Sequence, residues 1–273
     1  MTSELSSESQ LELRTADGIA LVTLANPGRA NSLSNQTFGE SLPNLLTDLS
    51  HDPGVRVVVL TGAGAAFCAG TELDADGFSE TRHERTISLL RRAHRNVEIL
   101  RAMPKPSIAA VNGPAIGAGL GLALACDIRI ASPAGRFGSP YVRMGLTPDM
   151  GTSFLLREVA GLSHALELTL TGRIINADAA CAMGLVSRIA DDPLAEAMTL
   201  AAEIARNPAA AVSSARAMVI ESARRGLAWS LACAEPQEFA GAFHDDEFPG
   251  HFAAYRAALA ARSRKTTDAG DPE

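Results

Sequence analysis

Two glycine-bearing stretches and one carboxylate carry the chemistry that this sequence could perform. Residues 104–127 read Pro-Lys-Pro-Ser-Ile-Ala-Ala-Val-Asn-Gly-Pro-Ala-Ile-Gly-Ala-Gly-Leu-Gly-Leu-Ala-Leu-Ala-Cys-Asp. The apolar run at 108–111 predicts a buried strand, Asn112, Gly113 and Pro114 turn the chain, and a helix of small residues follows over about 118–126. Gly117, Gly119 and Gly121 let another backbone or a ligand come close. The first turn of a helix also offers unpaired N–H groups at the positive end of its dipole. The stretch is therefore suited to present backbone donors to a developing negative charge. A second loop, Gly-Ala-Gly-Ala-Ala-Phe-Cys-Ala-Gly-Thr-Glu-Leu over 62–73, fits neither the dinucleotide-binding nor the P-loop spacing.

The titratable residues leave alternatives open. Asp149 follows Thr147 and Pro148, so it reads either as a catalytic carboxylate or as a first-turn acid of a helix capped by Thr147. His83 and His94 fall on or beside a helix over 83–102, where a histidine is more often a surface or core residue than a catalytic one. Glu72, Asp74 and Asp76 read as an acidic loop, with a second acid as the alternative. Arg85, Arg91, Arg92, Arg95 and Arg101 read as a solvated basic face or as a contact for a polyanionic ligand tail. Cys68, Cys126, Cys181 and Cys233 form no C-x-x-C pair, which suits reduced thiols in a cytoplasmic protein. Cys68, with no base beside it, reads as a small buried hydrophobe. No metal-ligand spacing is found, His244, Asp245, Asp246 and Glu247 included.

The elements that must position these groups follow from the pattern. Runs at 11–14 and 19–25 flank an Asp-Gly turn and predict a hairpin. Asn26 to Ser32 form a loop, Ser34 caps a helix over about 35–50, and the β-branched run 55–61 reads as a buried parallel strand. Another strand is expected over 127–132, and from 163 onward the pattern is helical. An α/β core followed by helices results, with a disordered lead-in over 1–10, the core over 11–200, a helical region over 201–263 and a disordered tail over 264–273. The lead-in lacks the basic and apolar regions of a signal peptide. The chain has 273 residues, 47% hydrophobic, and a net charge of −7. Such acidity excludes a phosphate-neutralising surface, so no nucleic-acid partner is expected, and no apolar run reaches the ~18 residues of a membrane span.

Four stretches resemble the crotonase, or enoyl-CoA hydratase/isomerase, family. They are Asn26-Pro27 with Arg29-Ala30-Asn31-Ser32-Leu33, the loop at 60–73, residues 105–121, and Phe137-Gly138 with 145–151. Their order and spacing are those of the family, and with Leu170-Thr171-Gly172 and 179–186 they cover about residues 11–260. The resemblance implies a crotonase (ClpP-like) spiral of ββα units with C-terminal helices used in trimerisation, as a homotrimer or dimer of trimers. It implies an acyl-CoA thioester substrate and no further cofactor. Two main-chain N–H groups, those of Thr71 and Ala118, would bind the thioester oxygen. Arg29, Ala30, Ala69 and Leu73 would line the coenzyme A path, and Gly117 and Tyr141 would line the substrate site.

The departures from the family pattern are informative. Family hydratases hold one water between two glutamates, and at those positions this sequence has Gly121 and Tyr141. Asp149 stands where single-carboxylate enoyl-CoA isomerases carry their acid, and where a 4-chlorobenzoyl-CoA dehalogenase carries its nucleophile. The resemblance therefore implies a shift of a 3-enoyl-CoA double bond to 2-enoyl-CoA with Asp149 as proton shuttle. A hydratase with atypical acids, a thioester hydrolase or dehalogenase using Asp149 as nucleophile, and a non-catalytic acyl-CoA binder are the alternatives.

Overall fold

The computed structural model describes residues 2–3, 10–72, 83–243 and 245–267. The chain divides into two compact units, up to Arg206 and from Asn207 onward. The first unit is built on a sheet of seven described strands in the order β1-β2-β3-β4-β5-β7-β10. These are β1 (Thr2–Ser3), β2 (Leu11–Ala16), β3 (Ile19–Leu24), β4 (Val57–Gly62), β5 (Ser107–Val111), β7 (Ile128–Ala131) and β10 (Arg188–Ile189). β1, β2 and β3 pair antiparallel, and every pairing from β3 onward is parallel. The expected hairpin is β2–β3, turning at Asp17 and Gly18, both with positive φ. Thr2 and Ser3 pair with Arg14 and Leu13, inside the stretch expected to be a lead-in, because backbone pairing at a sheet edge asks little of the side chains.

All residues of β4 and β5 are buried, which explains why they read as continuous apolar runs. Their period-2 alternation builds two cores. Val57, Val59, Ile108, Ala110 and Ile130 pack with Ala197 and Ala201 of the later helix Pro193–Ala205. Val58, Leu60, Ala109 and Val111 belong to the larger core on the other face, with Phe38, Leu42, Leu46 and Leu122. Each Val or Leu so buried is worth about 1.5–3 kcal/mol.

The larger core is covered by helices. α1 (Leu42–His51) follows a π-helical turn at Thr37–Ser41, started by Ser34 Oγ accepting from Thr37 N. α2 (His83–Ala102), α3 (Ala118–Ala125) and α4 (Thr152–Thr171) come next. α4 is interrupted at Gly161, where φ is 77° and ψ 168°. α5 (Ala177–Ala182) and α6 (Pro193–Ala205) complete the unit. Besides β1 and β10, which the sequence pattern did not announce, the unit departs from the expected elements in a second small sheet. β6 (Pro114–Ile116), β8 (Arg136–Gly138) and β9 (Ile174–Asn176) lie where turns and loops were expected, since three-residue strands leave no periodicity to read.

The second unit is wholly helical among its described residues: α7 (Ala209–Arg225), α8 (Leu227–Trp229), α9 (Glu235–Phe243) and α10 (Phe248–Thr267). α10 passes the expected start of the tail because, after Pro249 and Gly250 in its first turn, no Gly or Pro occurs before Gly270. No helix of the described residues is long and apolar enough to cross a membrane.

Candidate active site

The loop after β4 is drawn into register by two isolated parallel bridges, Leu33 with Thr71 and Cys68 with Ala115. Leu33 N donates to Gly70 O and Glu72 N donates to Leu33 O, each at 2.9 Å. Backbone groups of successive extended residues point to opposite sides. Thr71 therefore turns its own N–H away from Leu33, and that N–H has no partner among the described residues. Gly70, at φ +100°, makes this approach possible: a Cβ on it would stand 3.0 Å from Ile116 O and 3.3 Å from Ala118 N. Ala118 opens α3, so its N–H has no intrahelical acceptor. Gly117, at φ +56°, turns the chain from β6 into that helix, and its own N–H is taken by Gly138 O at 2.9 Å. The two expected donors thus stand on adjacent backbones at the N-terminus of a helix whose eight residues are all buried.

Asp149 does not occupy a helical first turn. Thr147, Pro148 and Asp149 are non-helical, and α4 begins only at Thr152, after Met150 (φ 51°) and Gly151 (φ 70°) have reversed the chain. Asp149 caps with its carbonyl instead, accepting from Thr152 N at 3.0 Å and Thr152 Oγ1 at 2.8 Å. The side chain is left free for His94 on α2, whose Nε2 lies 2.5 Å from Asp149 Oδ1. A helix position says nothing of which distant loop it meets, so the sequence leaves the role of His94 open.

Gly121 receives a different meaning. A Cβ there would stand 2.5 Å from Met150 O and 2.6 Å from Met150 Cβ. The place of the absent glutamate is filled by the backbone of the residue that follows Asp149, so glycine is what lets the Asp149 loop lie on α3. Tyr141 lies on the other side. Its Oη would be 3.5 Å from a Cβ on Gly117, and it is buried with no hydrogen-bond partner among the described residues. Burial first, and then the neighbouring Asp149 and Cys68, push its phenol up from the ordinary range, so it stays protonated.

Burial pushes the Cys68 thiol up to about 12, partly offset by its contact with the Gly70 backbone. Cys68 is wholly buried and is a core residue, not a nucleophile. Glu72 is likewise no second acid. It accepts from Gln10 Nε2 at 3.1 Å and Asn26 Nδ2 at 2.9 Å, and lies 3.8 Å from Arg29 Nη1. These bonds brace the loop that carries Arg29 and Ala30. Ala30 O accepts from Ala69 N at 3.0 Å, so the expected coenzyme A residues Arg29, Ala30 and Ala69 share one rim, with the Arg29 side chain 70% exposed. Leu73, Asp74 and Asp76, the His83 side chain and His244 lie outside the described residues.

Two asparagines that sequence reasoning gave no role hold the loops together. Asn31 Nδ2 donates to Ala63 O and Ala66 O, while Asn112 Nδ2 donates to Gly62 O, Gly64 O and Ala66 O. Their signal was available: each is a polar residue in a turn after a largely apolar strand. Among the described residues no group of three or more His, Cys, Asp or Glu side chains is placed to hold a metal ion.

A profile of the enoyl-CoA hydratase/isomerase family matches residues 14–256. The chain belongs to that family. A probable enoyl-CoA hydratase of Mycobacterium leprae is 41% identical over 177 residues, covering 62% of this chain and 59% of that relative. A 4-chlorobenzoyl coenzyme A dehalogenase of an Arthrobacter species is 33% identical over 182 residues, 66% of each chain. The match thus spans less than two thirds of these relatives' length. The crystal structure of an enoyl-CoA hydratase from Bacillus anthracis superposes with a TM-score of 0.85 at 30% identity, covering 91% of this chain and 96% of that one. The expected α/β crotonase fold with a helical C-terminal region is therefore the fold of this protein.

Proposed function

We propose that this protein acts on acyl-CoA thioesters and moves the double bond of a 3-enoyl-CoA to the 2-position. The observation that carries the reading is the carboxylate of Asp149, held by His94 beside α3, with both hydratase acid positions occupied by Gly121 and Tyr141. Asp149 takes a proton from C2, the C–H electron pair passes into the thioester, and the resulting dienolate oxygen is held by the N–H groups of Thr71 and Ala118. The same proton then returns at C4. Preorganised donors of this kind are typically worth about 3–4 kcal/mol each in the transition state. Proton transfer of this sort draws on no redox cofactor or metal. Addition of water has no carboxylate pair to activate it, so 2-enoyl-CoA is expected to remain unhydrated.

The test is conversion of a 3-enoyl-CoA to the conjugated 2-enoyl product, followed by absorbance. Asp149→Asn, which keeps the shape and removes the base, is expected to lower turnover about 10²–10⁴-fold. Equal rates for the two proteins would remove Asp149 from the mechanism. Absence of C2 proton exchange in deuterated water, with acyl-CoA bound, would instead mark a non-catalytic binder.

The His94–Asp149 contact and the dehalogenase relative favour one second reading, in which Asp149 attacks as a nucleophile, either at the thioester carbonyl with loss of CoA thiolate or at a halogen-bearing carbon of the acyl group with loss of halide, and water then hydrolyses the ester adduct. It predicts a mass increase on the Asp149 peptide in a single turnover, which the isomerase reading does not. Among the described residues Cys68, Cys126 and Cys181 form no disulfide, which supports placing the protein in the reducing cytoplasm.

A further inference from the structure

One polar group at this site is unused by the chemistry above. Tyr141 Oη is buried, has no partner among the described residues, and lies against Gly117, the residue before the Ala118 donor. A Cβ on Gly117 would meet Tyr141 Oη at 3.5 Å and Cζ at 3.6 Å, ordinary contact distances, so the hydroxyl stands on the side from which a side chain at Gly117 would project. A buried hydroxyl without a partner is destabilising, and phenylalanine would fill the same volume without that cost. The orphaned O–H is therefore explained by an acceptor that arrives with the ligand.

We propose that Tyr141 is a further catalytic residue, whose phenolic O–H donates a hydrogen bond to the thioester oxygen of the bound acyl-CoA beside the Thr71 and Ala118 amides. The inference rests on the acyl-CoA reading above. The charge of the phenol fits the role: burial first, and then Asp149 and Cys68 nearby, hold it above its ordinary range, so it remains a neutral donor. Tyrosine cannot replace the hydratase glutamate as a base, but a donor at that position strengthens as charge moves onto the oxygen. The substitution that removes a carboxylate from the water-activating pair thus adds an electrophilic group to an enolate site.

The experiment compares the full chain with its Tyr141→Phe variant in two ways. The first uses 4-(dimethylamino)cinnamoyl-CoA, whose absorbance moves to the red when its thioester carbonyl is polarised. The wild type is expected to give a red shift and Tyr141→Phe a smaller one. The second is turnover of a 3-enoyl-CoA, where the variant is expected to lose about 10–100-fold in kcat with KM nearly unchanged. The thermal midpoint of the variant should equal or exceed that of the wild type, since only an unpartnered hydroxyl is removed. A red shift and a kcat both within about twofold of wild type would overturn the role of Tyr141 and leave the acyl-CoA reading standing. A wild type that leaves the chromophore unshifted would overturn both.

Discussion

His94 and Asp149 stand 55 residues apart in the chain and 2.5 Å apart in space. The pair gives Asp149 a fixed aim, with one oxygen held by the α2 imidazole and the other left for substrate. Replacing His94 by Ala should lower kcat by about 10–100-fold with little change in KM, because orientation of the base is lost while substrate contacts remain. Gln at this position, which can still donate from an amide, should recover part of the rate. An Ala variant as active as the wild type would leave His94 a bystander. Cys68 gives a prediction of a different kind. Its folded-state pKa, raised to about 12 from an ordinary value of 9.0, means that the unfolded thiol ionises first as pH rises. Stability from this group is present below about pH 9 and is lost between about 9 and 12. Cys68→Ser or Cys68→Ala should flatten that alkaline loss in denaturant titrations, and native Cys68 should resist alkylation at pH 8.

At the scale of elements, the site is an agreement between α3 and two loops that reach it from opposite sides. The 62–72 loop arrives through Gly70, and the Asp149 loop arrives through the contact between Gly121 and the Met150 backbone. Met150 holds a left-handed conformation at φ 51°, which costs a non-glycine residue about 1–3 kcal/mol and turns Asp149 off the axis of α4. Gly121→Ala places a methyl group within 2.5 Å of Met150 O, so the loop must move. We expect that variant to lose about 1–3 kcal/mol of stability in urea unfolding and to lose turnover disproportionately, because the displaced residue adjoins Asp149. Full activity with wild-type stability would mean that the loop tolerates the shift and that Gly121 plays no positioning part.

For the molecule as a whole, the second unit carries more apolar surface than a lone helical unit would keep in water. Phe239 and Phe243 stack at 6.3 Å and Phe248 and Phe252 at 5.6 Å, while Phe243 and Phe248 meet tilted at 4.7 Å. Phe239 is nonetheless 73% exposed and Phe243 55%. These exposures support our proposal, implied first by the family resemblance, that the chain assembles as a trimer or dimer of trimers through its C-terminal helices. Sedimentation should return one of those masses, and a Phe239→Glu, Phe243→Glu variant should shift toward a single chain. A wild type that sediments as one chain at micromolar concentration would end the proposal.

Much of this protein was determined by the sequence alone. The hairpin, the buried strands β4 and β5, the small-residue helix α3 and the helical second half all follow from period, turn residues and composition, which act between near neighbours. The Ala118 loop was legible for the same reason, since Gly117 marks a backbone that must come close to another, whereas the Thr71 donor was legible only through the family resemblance. The tertiary structure alone decided what meets what. It placed His94 on Asp149, tied Glu72 into the rim as a brace, filled the empty acid position at Gly121 with the Met150 backbone, and left the Tyr141 hydroxyl buried and unpaired. Each of these joins residues distant in the chain through side-chain directions set by packing, and no local pattern encodes such directions.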